Sequence, residues 1–159
     1  MTIHSSNSHR VDPQTAQQFY IDGRWRAPAV AATLPVINPA TEEVVAHVAS
    51  GTAADVDRAV AAARAAFAGW SGTPADVRAQ MIGRIHELII ERKEDLAQAL
   101  SLEMGASISS ARAMQVPLAA EHVRVARDLL STYAFQTVEG STAIQREPIG
   151  VCGLITPWN

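Results

Sequence analysis

The chain has 159 residues, of which 48% are hydrophobic and 18% are charged, and its formal net charge is -3. This composition is typical of a globular protein of about one domain, and it contains no basic stripe, so we expect neither nucleic acid nor a membrane as a partner. The longest apolar runs fall short of the ~18–20 residues of a membrane span, and the single cysteine excludes an internal disulfide and favours a cytoplasmic location.

The first elements are short. Residues 1–18 are polar and lack the apolar centre of a secretory signal, so they predict a disordered leader. Residues 19–25, FYIDGRW, predict a β-hairpin, because Asp-Gly is typical of a two-residue type I′ turn. Residues 35–41 are extended, and residues 43–49 predict a further strand.

Helices follow from residue 52 onward. Thr52 and Asp55 resemble a capping box that begins the first helix. We expect its buried stripe to contain four residues at helical spacing: Val56, Val60, Ala63 and Phe67. Thr73-Pro74 begins a second helix, whose inward face we expect to carry Val77, Met81, Ile85, Leu88 and Ile89.

The later helices are divided by three signals. The polar run 91–95 predicts a bend, and Gly105 is a natural C-cap. Pro117 must end or kink the helix over 107–116, and it can begin the next helix, which runs to about residue 133. We expect the apolar line of that helix to contain Val123, Ala126, Leu129 and Leu130. Residues 139–141 predict a turn and residues 143–147 an edge strand.

The last stretch carries the chemistry. Residues 148–155, PIGVCGLI, predict a buried strand of a parallel sheet, and ligands bind beyond the carboxyl ends of such strands. Because this strand has no later neighbours in the chain, we expect an incomplete structure. Cys152 lies between apolar residues in mid-strand, which indicates an inert core thiol and not a nucleophile.

Other signatures of chemistry are absent from the sequence: it contains neither a G-x-G-x-x-G nor a Walker A loop, and no metal-ligand spacing. Asn159 has two interpretations on its own. Its side-chain amide could donate to an oxyanion in acyl-transfer chemistry. An asparagine after Pro-Trp is more commonly a turn residue or a helix cap.

Six stretches together resemble the N-terminal part of NAD(P)-dependent aldehyde dehydrogenases. In this chain they are residues 19–25 (FYIDGRW), 36–41 (VINPAT), 53–60 (AADVDRAV), 67–70 (FAGW), 102–105 (LEMG) and 146–159 (REPIGVCGLITPWN). The resemblance extends over nearly the whole chain, and the closing motif is specific to this family.

The resemblance implies an incomplete aldehyde dehydrogenase fold of the α/β class. Residues 19–136 would form the helical and strand layer that begins the cofactor-binding domain. Residues 137–147 would be a segment of the oligomerisation arm, shorter than in many relatives. Residues 148–159 would hold the first, truncated core strand of the Rossmann-like nucleotide-binding sheet.

The resemblance also implies a site that uses NAD or NADP. The residues that would line the cofactor cleft are Ile155, Thr156, Pro157 and Trp158. Asn159 would hold the substrate oxygen. Positions matching Ile37 and Glu103 lie near a monovalent-cation site in some relatives, but many of these have Asp where this chain has Glu103, and we assign no metal.

The implied activity is oxidation of an aldehyde to a carboxylic acid through a cysteine thioester, in an enzyme that is a homo-oligomer at full length. The segments that carry the family's cysteine and glutamate would follow Asn159, so we expect the chain alone to be inactive. Two alternatives stay open. The chain could be a non-catalytic assembly partner, or it could belong to a coenzyme A-acylating aldehyde dehydrogenase.

Overall fold

A computed structural model describes residues 13–156 of the chain. This part is an α/β piece in which every strand pair is antiparallel. The elements in chain order are α1 Pro13–Ala16, β1 Phe19–Ile21, β2 Arg24–Arg26, β3 Thr33–Ile37, β4 Val44–Ala49, α2 Ala53–Ser71, α3 Ala75–Glu91, α4 Lys93–Met104, α5 Ile108–Ser110, a π-helical turn Ala111–Gln115, α6 Val116–Leu129, β5 Gln136–Glu139 and β6 Thr142–Gln145. None of these helices has the length and hydropathy needed to cross a bilayer.

The first hairpin is confirmed. Strands β1 and β2 pair around Asp22 and Gly23, whose φ angles of 55° and 72° are the two positive values that a type I′ turn needs. The ring of Phe19 lies 3.3 Å from the position that a Cβ on Gly51 would occupy, which brings the hairpin against the loop before α2. The leader prediction differs at its end, because Pro13–Ala16 is helical and contacts β4. Residues 1–12 lie outside the described range.

Strands β3 and β4 form a second hairpin, with an irregularity in the register between Val36 and Ile37. The turn between them is closed by local bonds: the Asn38 side chain accepts from the Ala40 N–H at 2.9 Å, and the Asn38 N–H donates to the Glu43 carbonyl at 2.9 Å. An asparagine followed by proline favours such a turn, because the Asn side chain can hydrogen-bond the backbone two residues on. The strand prediction for residues 43–49 is therefore confirmed, and the extended piece before it is strand β3.

Helix α2 begins where the Thr52 signal predicts, but its apolar stripe is not buried. Val56 is 59% exposed and Val60 37%, Ala63 is exposed as well, and Phe67 is half-buried. The prediction that this stripe is buried was wrong. Apolar periodicity identifies which face of a helix would pack, but not whether anything packs against it. Whether a partner covers that face depends on tertiary structure, and the described residues leave most of it uncovered.

The small hydrophobic core lies where α6 packs along α3 and, through the π turn, against α4. Its buried apolar residues are Ala97, Ala111, Val116 and Ala120. Small side chains let these backbones approach closely. The helices α3 and α6 are also close at Gly83, where an added Cβ would lie 3.4 Å from the Cδ of Arg127.

The inward face predicted for α3 is only partly correct. Ile89 packs against the core and Val77 is half-buried, but Met81, Ile85 and Leu88 are exposed. Other positions of the same helix are half-buried instead, among them Ile82 and His86. Helix α3 carries more apolar positions than one stripe needs, so periodicity alone did not identify the contact face. On α6, likewise, Val123 and Leu130 are half-buried but Ala126 and Leu129 are exposed.

The predicted breaks in the polar run 91–95 and at Gly105 are confirmed. Arg92 separates α3 from α4, and Gly105 ends α4 with φ 77° while its N–H donates to the Ser101 carbonyl at 3.2 Å. Before Pro117 the helix does not stop but widens into the π turn, and α6 starts at Val116. A proline has no N–H and clashes with the preceding turn, and a π turn provides room for it without ending the helix.

Asp55 is 4% exposed, and its carboxylate fastens the linker before β3 to the start of α2. It accepts hydrogen bonds from the Thr52 N–H at 2.8 Å, the Thr52 hydroxyl at 2.7 Å and the Ala29 N–H at 2.8 Å, and it pairs with Arg58. Arg58 in turn donates to the carbonyl of Ala27 at 3.0 Å. The bonds from Thr52, Ala29 and Arg58 favour the charged form and hold the pKa of Asp55 well below its usual value of about 4.

A carboxyl group whose pKa is lowered on folding stabilises the folded state above its unfolded pKa, and this contribution is lost as the pH falls below about 4. We therefore expect Asp55→Asn to lower the urea midpoint of the polypeptide at pH 7. Its midpoint should change less than that of the parent between pH 7 and pH 3. Asp57→Asn, on the exposed side of the same helix, is the control and should follow the parent. Parallel pH dependence of Asp55→Asn and the parent would contradict this role.

Candidate functional site

The stretch predicted as a buried strand, residues 148–155, is not a strand in this structure. It has no regular secondary structure, and its large aliphatic side chains lie in solvent: Ile149 is 94% exposed, Leu154 88% and Ile155 98%. A parallel strand exists only when neighbours accept and donate its backbone hydrogen bonds, and the described residues place no strand beside it. The Rossmann-like strand is thus not confirmed, and the sequence pattern indicated an apolar segment without fixing its pairing.

The predicted site residues at the end of this stretch are described only in part. Ile155 and Thr156 are both exposed and have no regular secondary structure. Pro157, Trp158 and Asn159 lie outside the described residues. The structure therefore does not bring the predicted cofactor and substrate residues together, and their assignment stays a prediction.

Cys152 corrects a second expectation. The thiol is free and exposed, where the strand interpretation placed it in a core. Its Sγ lies 3.8 Å from the carbonyl oxygen of Gly150, a weak contact within the segment itself. The exposure follows from the missing strand pairing, and the described surroundings of the thiol contain no base within bonding distance that would activate it.

One shallow groove joins two distant parts of the sequence. The end of β3 and the turn after it face the last turn of α4, and the lining residues include Ile37, Pro39, Glu103 and Met104. The fit is close at Gly105, where an added Cβ would lie 2.5 Å from the Cγ of Pro39. Ile37 and Glu103, which the resemblance connects, thus lie along the same groove. Among the described residues no group of three or more His, Cys, Asp or Glu is placed to hold a metal ion.

A cluster of rings and guanidinium groups at the base of the β5–β6 hairpin was not found from the sequence. Phe135 and Tyr133 stack edge to face with ring centroids 4.8 Å apart. The Arg78 Cζ lies 5.2 Å from the Phe135 centroid, and the Arg146 Cζ lies 5.8 Å from the Tyr133 centroid. Arg78 and Phe135 are far apart in the chain, so no local pattern could have paired them.

Comparison with known proteins now decides the family. The sequence profile of the aldehyde dehydrogenase family matches residues 25–159. The chain belongs to the aldehyde dehydrogenase family. It is 43% identical over 144 residues to a 3-succinoylsemialdehyde-pyridine dehydrogenase from a Pseudomonas species, a match that covers 90% of this chain and 30% of that protein.

Solved structures agree with this assignment. A variant of aldehyde dehydrogenase C from Pseudomonas syringae, in which a cysteine is replaced by alanine and which holds NAD+ and octanal, is 84% identical with a TM-score of 0.93. The match covers 96% of this chain and 31% of that one. An aldehyde dehydrogenase from Bartonella henselae is 35% identical with a TM-score of 0.76, over 79% of this chain and 27% of that one. This chain thus spans about 30% of the length of the relatives that it matches.

The close contact between Pro39 and Gly105 yields a stability prediction. Gly105→Ala would force a Cβ into Pro39 and hold an alanine at φ 77°, which alone costs about 1–2 kcal/mol. We expect a loss of at least that size in the free energy of unfolding, measured by urea denaturation. Gly69→Ala is the control, because its Cβ would meet nothing within 4 Å inside α2 and alanine favours a helix. Equal effects of the two substitutions would contradict both the strain at φ 77° and the contact with Pro39.

Proposed function

We propose that this chain is the amino-terminal part of an NAD(P)-dependent aldehyde dehydrogenase that oxidises an aldehyde to a carboxylic acid. The observation that carries the proposal is the agreement in sequence and fold with the Pseudomonas syringae enzyme that holds NAD+ and octanal. The family profile extends to the last residue of this chain, so the closing motif is part of the match. The single cysteine of the chain favours a reducing, cytoplasmic location.

The proposed reaction passes through a covalent thioester. A cysteine thiolate attacks the aldehyde carbon. NAD(P)+, when bound, would supply the acceptor for the hydride that this carbon loses. A water activated by a glutamate then releases the acid. The use of a cysteine-to-alanine variant to hold octanal in the related structure supports a cysteine as the group that reacts.

The part of this chain in the reaction would be to bind and orient. Thr156 and Ile155 are exposed at the end of a segment without regular secondary structure, so their side chains are accessible to a ligand. One exposed segment cannot enclose a dinucleotide, and a cleft needs a second wall. We assign one wall of the cofactor cleft to four residues: Ile155, Thr156, Pro157 and Trp158. In the same proposal the side-chain amide of Asn159 donates a hydrogen bond to the substrate oxygen as negative charge develops on that oxygen.

The substitution that tests this role is Asn159→Ala in the enzyme as its gene encodes it. Loss of one oxyanion donor lowers kcat by roughly 10²–10³-fold, so we expect a fall of that size in NAD+ reduction with octanal. NADP+ is assayed in parallel to establish which cofactor is used.

Cys152→Ser is the matched control, because it changes the thiol of the same segment without touching the proposed donor. It should leave turnover unchanged. If Cys152→Ser abolishes turnover while Asn159→Ala does not, both the proposed donor and the inert thiol are wrong.

The alternatives can be separated by simple assays of the 159-residue polypeptide. We expect it to reduce no NAD+ with any aldehyde of a panel headed by octanal, because it contributes one thiol and that thiol is proposed to be inert. If the enzyme as its gene encodes it turns over aldehyde only when coenzyme A is present, it is an acylating relative instead. In that reaction the acyl group of the thioester passes to the thiol of coenzyme A.

A non-catalytic role as an assembly partner is favoured by one feature. The predicted arm segment forms a separate hairpin, β5–β6, and Val138 on it is 69% exposed. Co-elution of the polypeptide with a full-length homologous subunit in size-exclusion chromatography is the result this alternative requires. Elution as a lone, cooperatively melting monomer would count against it.

A further inference from the structure

The base of hairpin β5–β6, where its two strands meet the rest of the chain, is closed by hydrogen bonds from Arg146. The strands end at residues 136 and 145, and the next residues inward are Phe135 and Arg146. The Arg146 N–H donates to the Phe135 carbonyl at 2.8 Å, which extends the ladder by one bond. The Arg146 guanidinium donates to the Ala134 carbonyl at 3.0 Å. Backbone and side chain of Arg146 therefore both close the base.

The same base is attached to helix α3 by stacking. Arg78, Phe135, Tyr133 and Arg146 follow one another as cation, ring, ring and cation, at successive separations of 5.2, 4.8 and 5.8 Å. A guanidinium within about 6 Å of a ring centroid is attracted by the negative face of the ring, and edge-to-face rings attract one another. The stack therefore connects residues of α3 with both ends of the hairpin.

The buried guanidinium of Arg78 indicates that the stack contributes a specific attraction in addition to packing. Its Nε is buried and has no hydrogen-bond partner among the described residues. A buried guanidinium nitrogen without an acceptor is unfavourable unless another interaction offsets the loss of water. The contact that the structure provides is the Phe135 ring, and the partial removal of water strengthens a cation–π attraction.

We propose that Arg78, Phe135, Tyr133 and Arg146 form a latch that fixes the direction of hairpin β5–β6 relative to helix α3. In this arrangement Arg78 is a positioning residue, which acts on the hairpin through the two rings. The latch itself does not depend on the proposed function. Its consequence for assembly does, because it rests on the proposed role of the hairpin in contacts between subunits.

The test is hydrogen exchange followed by mass spectrometry on the polypeptide as its gene encodes it. Arg78→Met keeps a good helix former and a long apolar side chain but removes the planar charge. Loss of one cation–π contact corresponds to about a two- to fivefold change in an opening equilibrium. We therefore expect peptides that cover residues 136–145 to exchange about two- to fivefold faster, and peptides from residues 19–26 to stay unchanged.

Arg84→Met is the matched control, because Arg84 lies on the same helix but pairs with Glu87 and Glu91 in solvent. It should leave the exchange of residues 136–145 unaltered. Phe135→Leu should give a larger effect than Arg78→Met, since it interrupts the stack at its centre. Should that variant fail to fold, Arg146→Lys, which removes the planar stacking group, takes its place and should also accelerate exchange. Unchanged exchange in Arg78→Met, or equal acceleration in Arg84→Met, would overturn the latch.

Size-exclusion chromatography of the same variants separates this inference from the assembly proposal. Faster exchange with weaker assembly supports both. Faster exchange with unaltered assembly supports the latch and removes the proposed role of the hairpin between subunits.

Discussion

The packing of helix α6 against α3 and α4 is the contact on which the other described elements depend. It is made by small residues, and Ala97 and Ala111 are completely buried where the helices meet. Close contact of backbones leaves little tolerance for added volume, because protein interiors are already close-packed. The π turn before Pro117 belongs to this constraint. Without the extra room that it provides, the proline would break the helix at the point where it enters the core.

This core is small for the amount of apolar surface in the chain. Most of the apolar stripe of α2 and most of the segment 148–156 are in solvent. Each large aliphatic side chain left exposed forgoes about 1.5–3 kcal/mol of burial free energy. Contiguous apolar surface of this kind marks a place where other protein packs. The relatives have about three times the length of this chain, and we expect that their additional residues cover the corresponding faces.

Sequence reasoning was accurate where the cause is local. Positive φ at Asp22 and Gly23, the start of α2 at Thr52 and the end of α4 at Gly105 all follow from one to four neighbouring residues. It was wrong where the cause is tertiary. The face of α3, the burial of α2 and the pairing of residues 148–155 depend on partners that a periodic pattern cannot identify. The carboxylate of Asp55 shows both cases, since its bond to Thr52 is local but its bond to Ala29 joins residues 26 apart.

The candidate site depends on tertiary contacts and not on local sequence. Its residues were identified by resemblance, and the structure places Ile155 on a segment without regular secondary structure, with 98% of its surface exposed. The segment begins two residues after Arg146, which the hydrogen bonds to Ala134 and Phe135 hold at the base of the hairpin. Gly150, at φ 126°, takes a backbone conformation that other residues rarely adopt. The same four stacked side chains that orient the hairpin fix the point from which the proposed cofactor wall extends.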